Sequence, residues 1–69
     1  MVSLDLFAKG DVYLDYPFEQ VKFRWEAETE KVFRRRYGKS ESESHYTSDL
    51  FRDAITSGKL ITREEYYRD

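Results

Sequence analysis

The side chains best suited to binding a partner form a cationic and aromatic group between positions 22 and 37. The group consists of Lys22, Arg24, Arg34, Arg35, Arg36 and Tyr37. Guanidinium and ammonium groups bind carboxylates and phosphates, while aromatic rings fill pockets in a partner protein or stack on bases. We therefore predict that these six residues bind a macromolecule, either a protein or a nucleic acid.

Side chains that could perform catalysis are poorly placed. Glu64 and Glu65 are adjacent, and adjacent side chains on a helix diverge by about 100°, so the two carboxylates do not form an acid–base pair. His45 has serines near it, but a Ser/His mechanism also needs a third, orienting group and an oxyanion site. We therefore predict that the protein is not an enzyme and has no catalytic residue.

Metal and cofactor sites also lack the residues they need. The chain has no cysteine, and His45 is its only histidine. A zinc site would need at least two carboxylates beside that histidine, which is an uncommon ligand set. The three glycines are isolated in the sequence, so no glycine-rich loop can cradle a phosphate. We predict no metal and no cofactor.

Length and charge narrow the class of protein. The 69 residues allow a single domain, 1–69, and the twelve aromatic residues suit a thin core. Residues 22–39 carry a net charge of +4 between flanking segments that each carry −3. The sequence pI of 5.4 argues against nucleic-acid binding, because domains that bind nucleic acid usually have a pI above about 9. Without a signal peptide or a membrane-length apolar run, we expect a cytoplasmic protein with no membrane partner.

The cationic group lies on a predicted β-hairpin over residues 21–37, whose connector is Ala27–Lys31. Apolar residues alternate with charged ones from Val21 to Trp25, the period of a half-buried strand. We expect Phe33 and Tyr37 to face inward with them, with Arg35 laid over the rings. This phase places a cationic patch on the outer face, formed by Lys22, Arg24, Arg34 and Arg36. A shift of one residue would invert the assignment.

Two regions surround the hairpin. Before it, Val12–Tyr16 is predicted to be a strand because it is β-branched and aromatic and ends before Pro17. Met1–Phe7 fits either a frayed strand or one turn of helix. After it, residues 38–46 are predicted to form a polar connector, since 38–44 contain no apolar residue.

The C-terminal residues 47–69 are predicted to be helical. Ser48 or Asp49 can cap a helix whose apolar face consists of Leu50, Phe51, Ala54 and Ile55. Gly58 is expected to end that helix in the left-handed conformation. Thr62 and Glu65 form a capping-box pattern that starts a second helix over 62–68. That helix is too short to be stable alone, so it must dock through Tyr66 or Tyr67.

We therefore predict an α+β fold. A two- to four-stranded antiparallel sheet within residues 2–37 should pack on the helix from Asp49, with Trp25 buried between them. The predicted function is protein binding through the hairpin, as in an inhibitor or accessory protein. Nucleic-acid binding by the Lys/Arg and aromatic face is the alternative. The chain is expected to be a monomer or a weak homodimer.

Overall fold

The fold is a five-stranded antiparallel sheet with short helices, which confirms the predicted α+β class. It is given by a computed structural model that describes residues 4–68. The strands are β1 (Val12–Tyr16), β2 (Val21–Glu26), β3 (Lys31–Arg36), β4 (Glu41–Ser44) and β5 (Lys59–Ile61). The helices are α1 (Leu6–Lys9), α2 (Asp49–Ser57) and α3 (Arg63–Tyr67), and Pro17–Glu19 forms a 3-10 turn. The strand order is β4-β3-β2-β1-β5, and every neighbouring pair is antiparallel.

Two of the strands lie outside the predicted sheet region 2–37. β4 occupies part of the predicted connector 38–46, and β5 runs between the two C-terminal helices. Both are edge strands, and β4 is polar on both faces, so neither shows the apolar alternation by which a strand is recognised. In the N-terminal segment, residues 6–9 form one helical turn, and Met1–Ser3 lie outside the described residues.

The hydrophobic core lies between α2 and one face of the sheet. Its buried members are Val12, Leu14, Val21, Phe23, Val32, Phe51 and Ala54. We call this side of the sheet the α2 face, and the opposite side, which α3 covers, the α3 face. Phe51 packs edge-on against Phe23, with ring centroids 5.3 Å apart. Burial of such rings is the main stabilising contribution in a core this small.

The predicted phase of β3 is wrong by one residue. Phe23 pairs with Arg34 and Trp25 pairs with Val32, and directly paired residues share a face. Val32 therefore enters the core, whereas Phe33 lies on the α3 face, with the guanidinium of Arg24 4.2 Å above its ring. Phe33 is larger than Val32, yet it packs under the Arg24 guanidinium outside the core. The size of a side chain alone therefore does not indicate which face of β3 points inward.

Trp25 is on the α2 face but is only half-buried, at the margin of the core. Its ring meets Phe7 of α1 edge-on at 5.8 Å, and its indole N–H donates to the Phe7 carbonyl over 3.1 Å. Trp25 therefore packs on the core side of the sheet, as predicted, but it is not fully enclosed there, and α1 supplies both its ring contact and the acceptor of its indole N–H.

The ends of the C-terminal helices follow the sequence closely, with one exception. Thr62 and Glu65 form the predicted capping box, through bonds of 2.9 and 3.1 Å. Gly58 ends α2, but its φ of −83° is extended, not left-handed. Glycine is required there for space, since a Cβ would lie 2.5 Å from the Ala54 carbonyl oxygen and 2.8 Å from that of Asp15.

No helix within residues 4–68 is long and apolar enough to cross a membrane.

Candidate binding surface

The six predicted binding residues are divided between the two faces of the sheet. Arg34 and Arg36 lie on the α2 face, opposite Phe23 and Val21 of β2. Lys22, Arg24, Arg35 and Tyr37 lie on the α3 face. The predicted single patch of Lys22, Arg24, Arg34 and Arg36 is therefore wrong, because the shifted register sends its two halves to opposite sides. The nucleic-acid alternative depended on that continuous patch.

Lys22 is only 8% exposed and holds the end of α3. Its Nζ donates to the Glu65 carbonyl over 2.6 Å and also to the carbonyl of Arg68. A cation at a helix C-terminus stabilises carbonyls that have no partner within the helix. Lys22 also lies 5.6 Å from the centre of the Tyr37 ring. This lysine therefore has a structural role inside the protein.

Arg24 is the centre of an ion-pair network on the α3 face. Its Nε and Nη2 donate to the two carboxylate oxygens of Glu41 over 3.0 and 3.1 Å, and its Nη1 donates to Glu26 over 2.9 Å. The hydrogen bonds with Glu41 raise the pKa of Arg24 and lower that of Glu41. A two-point pair of this kind is stronger than a single ion pair. Arg24 is therefore already paired within the fold.

The other two predicted binding residues on the α3 face, Arg35 and Tyr37, also have partners within the protein. Arg35 donates to the Tyr66 carbonyl over 3.2 Å, and the Tyr37 hydroxyl donates to Asp15 over 2.5 Å. Partial burial, together with the bond to Asp15, raises the pKa of Tyr37 to about 12. Tyr37 remains 37% exposed, so it still presents part of its ring to solvent.

Tyr66 is the residue through which α3 docks, one of the two that the sequence predicted, but sequence reasoning missed its partner Glu41. Tyr66 is fully buried, and its hydroxyl donates to Glu41 over 2.7 Å. Burial, then the bond to Glu41, raises the pKa of that phenol. The alternation of Glu and Ser over 41–44 was the available signal, because it is the period of a strand with two different faces.

The same alternation places a serine, and not a glutamate, opposite Arg34 on the α2 face. Arg34 pairs with Ser42 across the β3–β4 ladder, whereas Arg35 pairs with Glu41. Serines therefore face Arg34, and the glutamates lie on the other side. A groove of about 120 Å³ results, lined by Arg34, Arg36, Lys39, Ser40 and Ser42. Within residues 4–68, no carboxylate forms an ion pair with any of its three cations.

Larger concave sites lie elsewhere on the described part of the chain, two of them at the end of α3 and at the β1–β2 connection. A pocket of about 320 Å³ near the end of α3 is lined by Asp15, Lys22, Tyr37, Lys59, Ile61, Glu65 and Arg68. A pocket of about 390 Å³ at the β1–β2 connection is lined by Tyr16, Pro17, Phe18 and Ser57. The first includes Lys22 and Glu65, which are engaged with the two ends of α3, whereas the second is largely aromatic and exposed.

The residues considered for catalysis are not assembled into a site. The His45 ring nitrogen Nδ1 lies 2.7 Å from the Thr47 hydroxyl, and the ring stacks on Tyr46 with centroids 4.7 Å apart. Glu65 is engaged in capping α3, and the backbone bond from Thr62 lowers the pKa of Glu65. Among the described residues, no cluster of three or more histidine, cysteine or acidic side chains could hold a metal.

Three comparisons with known proteins agree with one another. The model of a family described as Tis1 immunity protein matches residues 3–69. The chain is 44% identical over 64 residues to the immune protein Tis1 of Pseudomonas aeruginosa (strain UCBPP-PA14), covering 90% of this chain and 83% of that protein. The fold matches a chain in the crystal structure of the complex between the Type VI effector Tas1 and its immunity protein. That match has a TM-score of 0.90 and 39% identity, and covers 96% of this chain and 91% of the other.

Proposed function

The chain belongs to the Tis1 immunity protein family, and we propose that it binds a type VI effector protein and inhibits it, without a catalytic step of its own. The observation that carries this proposal is the agreement of almost the entire fold with a chain from an effector–immunity complex. Proteins this similar in sequence and fold commonly retain the class of partner. The cationic groove on the α2 face and the aromatic pocket beside it are consistent with a protein-binding surface.

We further propose that the hairpin contacts the effector through the cationic groove, with Arg34 and Arg36 as its main binding residues. Neither arginine forms an ion pair with a carboxylate of the described residues 4–68, so a partner carboxylate would gain a charge-assisted hydrogen bond without breaking one of those. Arginine is enriched among the residues that dominate binding energy at interfaces. Lys22, Arg24 and Arg35 are excluded from this proposal because they already hold α3 and β4.

Calorimetric titration with purified effector tests the binding proposal. The probes are Tas1 and, where the genome of origin encodes one, its Tas1-like effector. We expect a one-to-one complex that forms below micromolar concentration, and protection of a bacterial host when both proteins are expressed together. Labelled oligonucleotides at low salt are the control for non-specific charge binding. Failure to bind either effector at tens of micromolar would overturn the proposal.

The double variant Arg34→Gln/Arg36→Gln tests the contact. Arg36 is exposed and Arg34 is half-buried, and neither forms an ion pair within residues 4–68, so the variant should stay folded. Loss of two interface arginines should weaken effector binding by at least about tenfold, since hot-spot residues each contribute upwards of about 2 kcal/mol. The matched control Lys59→Gln/Arg63→Gln removes the same charge from exposed positions near β5 and α3. Equal affinities for the two double variants would show that the groove is not the contact.

A further inference from the structure

Phe18 is presented to solvent in an unusual setting. It is 82% exposed, more than any other large apolar side chain in the described part of the chain. Single exposed apolar residues are ordinary in soluble proteins. This one, however, lies beside Tyr16, with ring centroids 6.1 Å apart, and the two rings line the aromatic pocket of about 390 Å³ with Pro17 and Ser57. The feature is therefore a concave aromatic site with an exposed wall.

The turn that carries Phe18 is held at both ends. Pro17 begins it, which fixes the backbone φ of the first position. Gln20 closes it in the left-handed conformation, with a φ of 54°, and donates its N–H to the Pro17 carbonyl over 3.0 Å. The Gln20 carbonyl in turn accepts the Tyr37 N–H over 3.0 Å. A side chain on such a turn loses little backbone freedom when a partner binds, which favours affinity.

The aromatic pocket and the cationic groove are neighbours on the α2 face. Tyr16 pairs with Val21, and Val21 pairs with Arg36, so these three residues form one row across β1, β2 and β3. Neighbouring strands are about 4.8 Å apart, which places the backbones of Tyr16 and Arg36 about 10 Å from each other. Directly paired residues point to the same side of a sheet. Val21, the middle residue of this row, is fully buried, so an effector segment that reaches both sites passes over the side chains that cover it. An extended segment of about five or six residues is long enough for that path.

We infer that the pocket and groove form one docking surface for the effector. An apolar effector side chain enters the pocket against Phe18 and Tyr16, and an acidic effector residue about 10 Å away binds Arg36. This combination of aromatic and arginine contacts is the composition of interface hot spots. The inference rests on the proposed function, because the occupant is the same effector.

The test is the affinity of Phe18→Ala for Tas1 or the Tas1-like effector, measured by calorimetry. Truncation of an exposed ring should leave the melting temperature nearly unchanged and weaken binding at least tenfold. The matched control is Tyr46→Ala, another exposed aromatic, 58% accessible. Tyr46 follows β4 beyond the Ser44–Val32 pair, at the end of β3 opposite to Arg36. Its replacement should leave the effector affinity unchanged.

A second variant, Ser57→Phe, fills the pocket while Phe18 remains. Ser57 is exposed at the last position of α2, so a larger side chain can be accommodated there. We expect this variant to weaken binding at least tenfold as well. Wild-type affinity in both Phe18→Ala and Ser57→Phe would overturn the inference while leaving the proposed function intact. Failure of the wild-type protein to bind would instead overturn the proposed function.

Discussion

Truncation of Tyr66 to alanine should remove a large part of the stability of this protein. The ring is fully buried, lies 5.5 Å from that of Tyr13, and its hydroxyl donates to Glu41. Loss of a buried aromatic side chain costs about 3–5 kcal/mol. A chain of this length has a total of about 3–10 kcal/mol at typical values per residue. The five residues of α3 cannot remain helical alone, so α3 should undock in the variant.

The assay is urea unfolding at pH 7, followed by circular dichroism and by the fluorescence of Trp25. Tyr67→Ala is the matched control, because Tyr67 is the next residue of the same helix but is 48% exposed. It should cost only about 1 kcal/mol, mostly from its edge-on contact with Tyr66. Tyr66→Phe removes only the hydroxyl bond to Glu41 and should cost about 1–3 kcal/mol. Equal costs for Tyr66→Ala and Tyr67→Ala would refute the docking of α3 through Tyr66.

Two further substitutions test the α3-face network and the end of α2. Glu41→Gln should destabilise the protein by about 1–3 kcal/mol at pH 7. Because Arg24 lowers the pKa of Glu41 in the fold, this contribution is present above the ordinary value of 4.5 and is lost as the pH falls below it. The urea midpoints of wild type and variant should therefore converge toward pH 2, and a constant difference would contradict the pairing. Gly58→Ala should cost about 1–3 kcal/mol by overpacking. Gly10→Ala, where a Cβ meets nothing within 4 Å, should cost less, and equal melting temperatures would contradict the close approach at Gly58.

Elements with local sequence signals were predicted at their observed positions. β1 ends where Pro17 prevents its continuation, and α2 begins at Asp49 as the apolar spacing indicated. The capping box of Thr62 with Glu65 was predicted from two residues three positions apart. Each of these features depends only on residues within about one helical turn or one strand. A short stretch of sequence is therefore enough to predict it.

The phase of β3 could not be predicted in the same way. Val32 and Phe33 are both good strand residues, and either can face a core. The choice depends on the register with β2 and on which face α2 covers, and both are decided by contacts between distant segments. β4 and β5 were missed for a related reason, since each becomes a strand by pairing with a sheet edge that β3 or β1 presents.

The candidate binding surface likewise combines features that local sequence predicts with features that depend on contacts between distant segments. The order of residues already shows a cationic and aromatic segment between two acidic ones, and it identifies the six candidate residues of that segment. Which of those cations remain available to a partner depends on contacts between segments that are far apart in the chain. Arg24 forms an ion pair with Glu41, 17 positions away, and Lys22 donates to backbone carbonyls more than 40 positions away. Within residues 4–68, Arg34 and Arg36 form no ion pair, and alternation along β4 places Ser42 opposite Arg34. Which charges pair depends on their distance in space, and the order of residues does not show that distance.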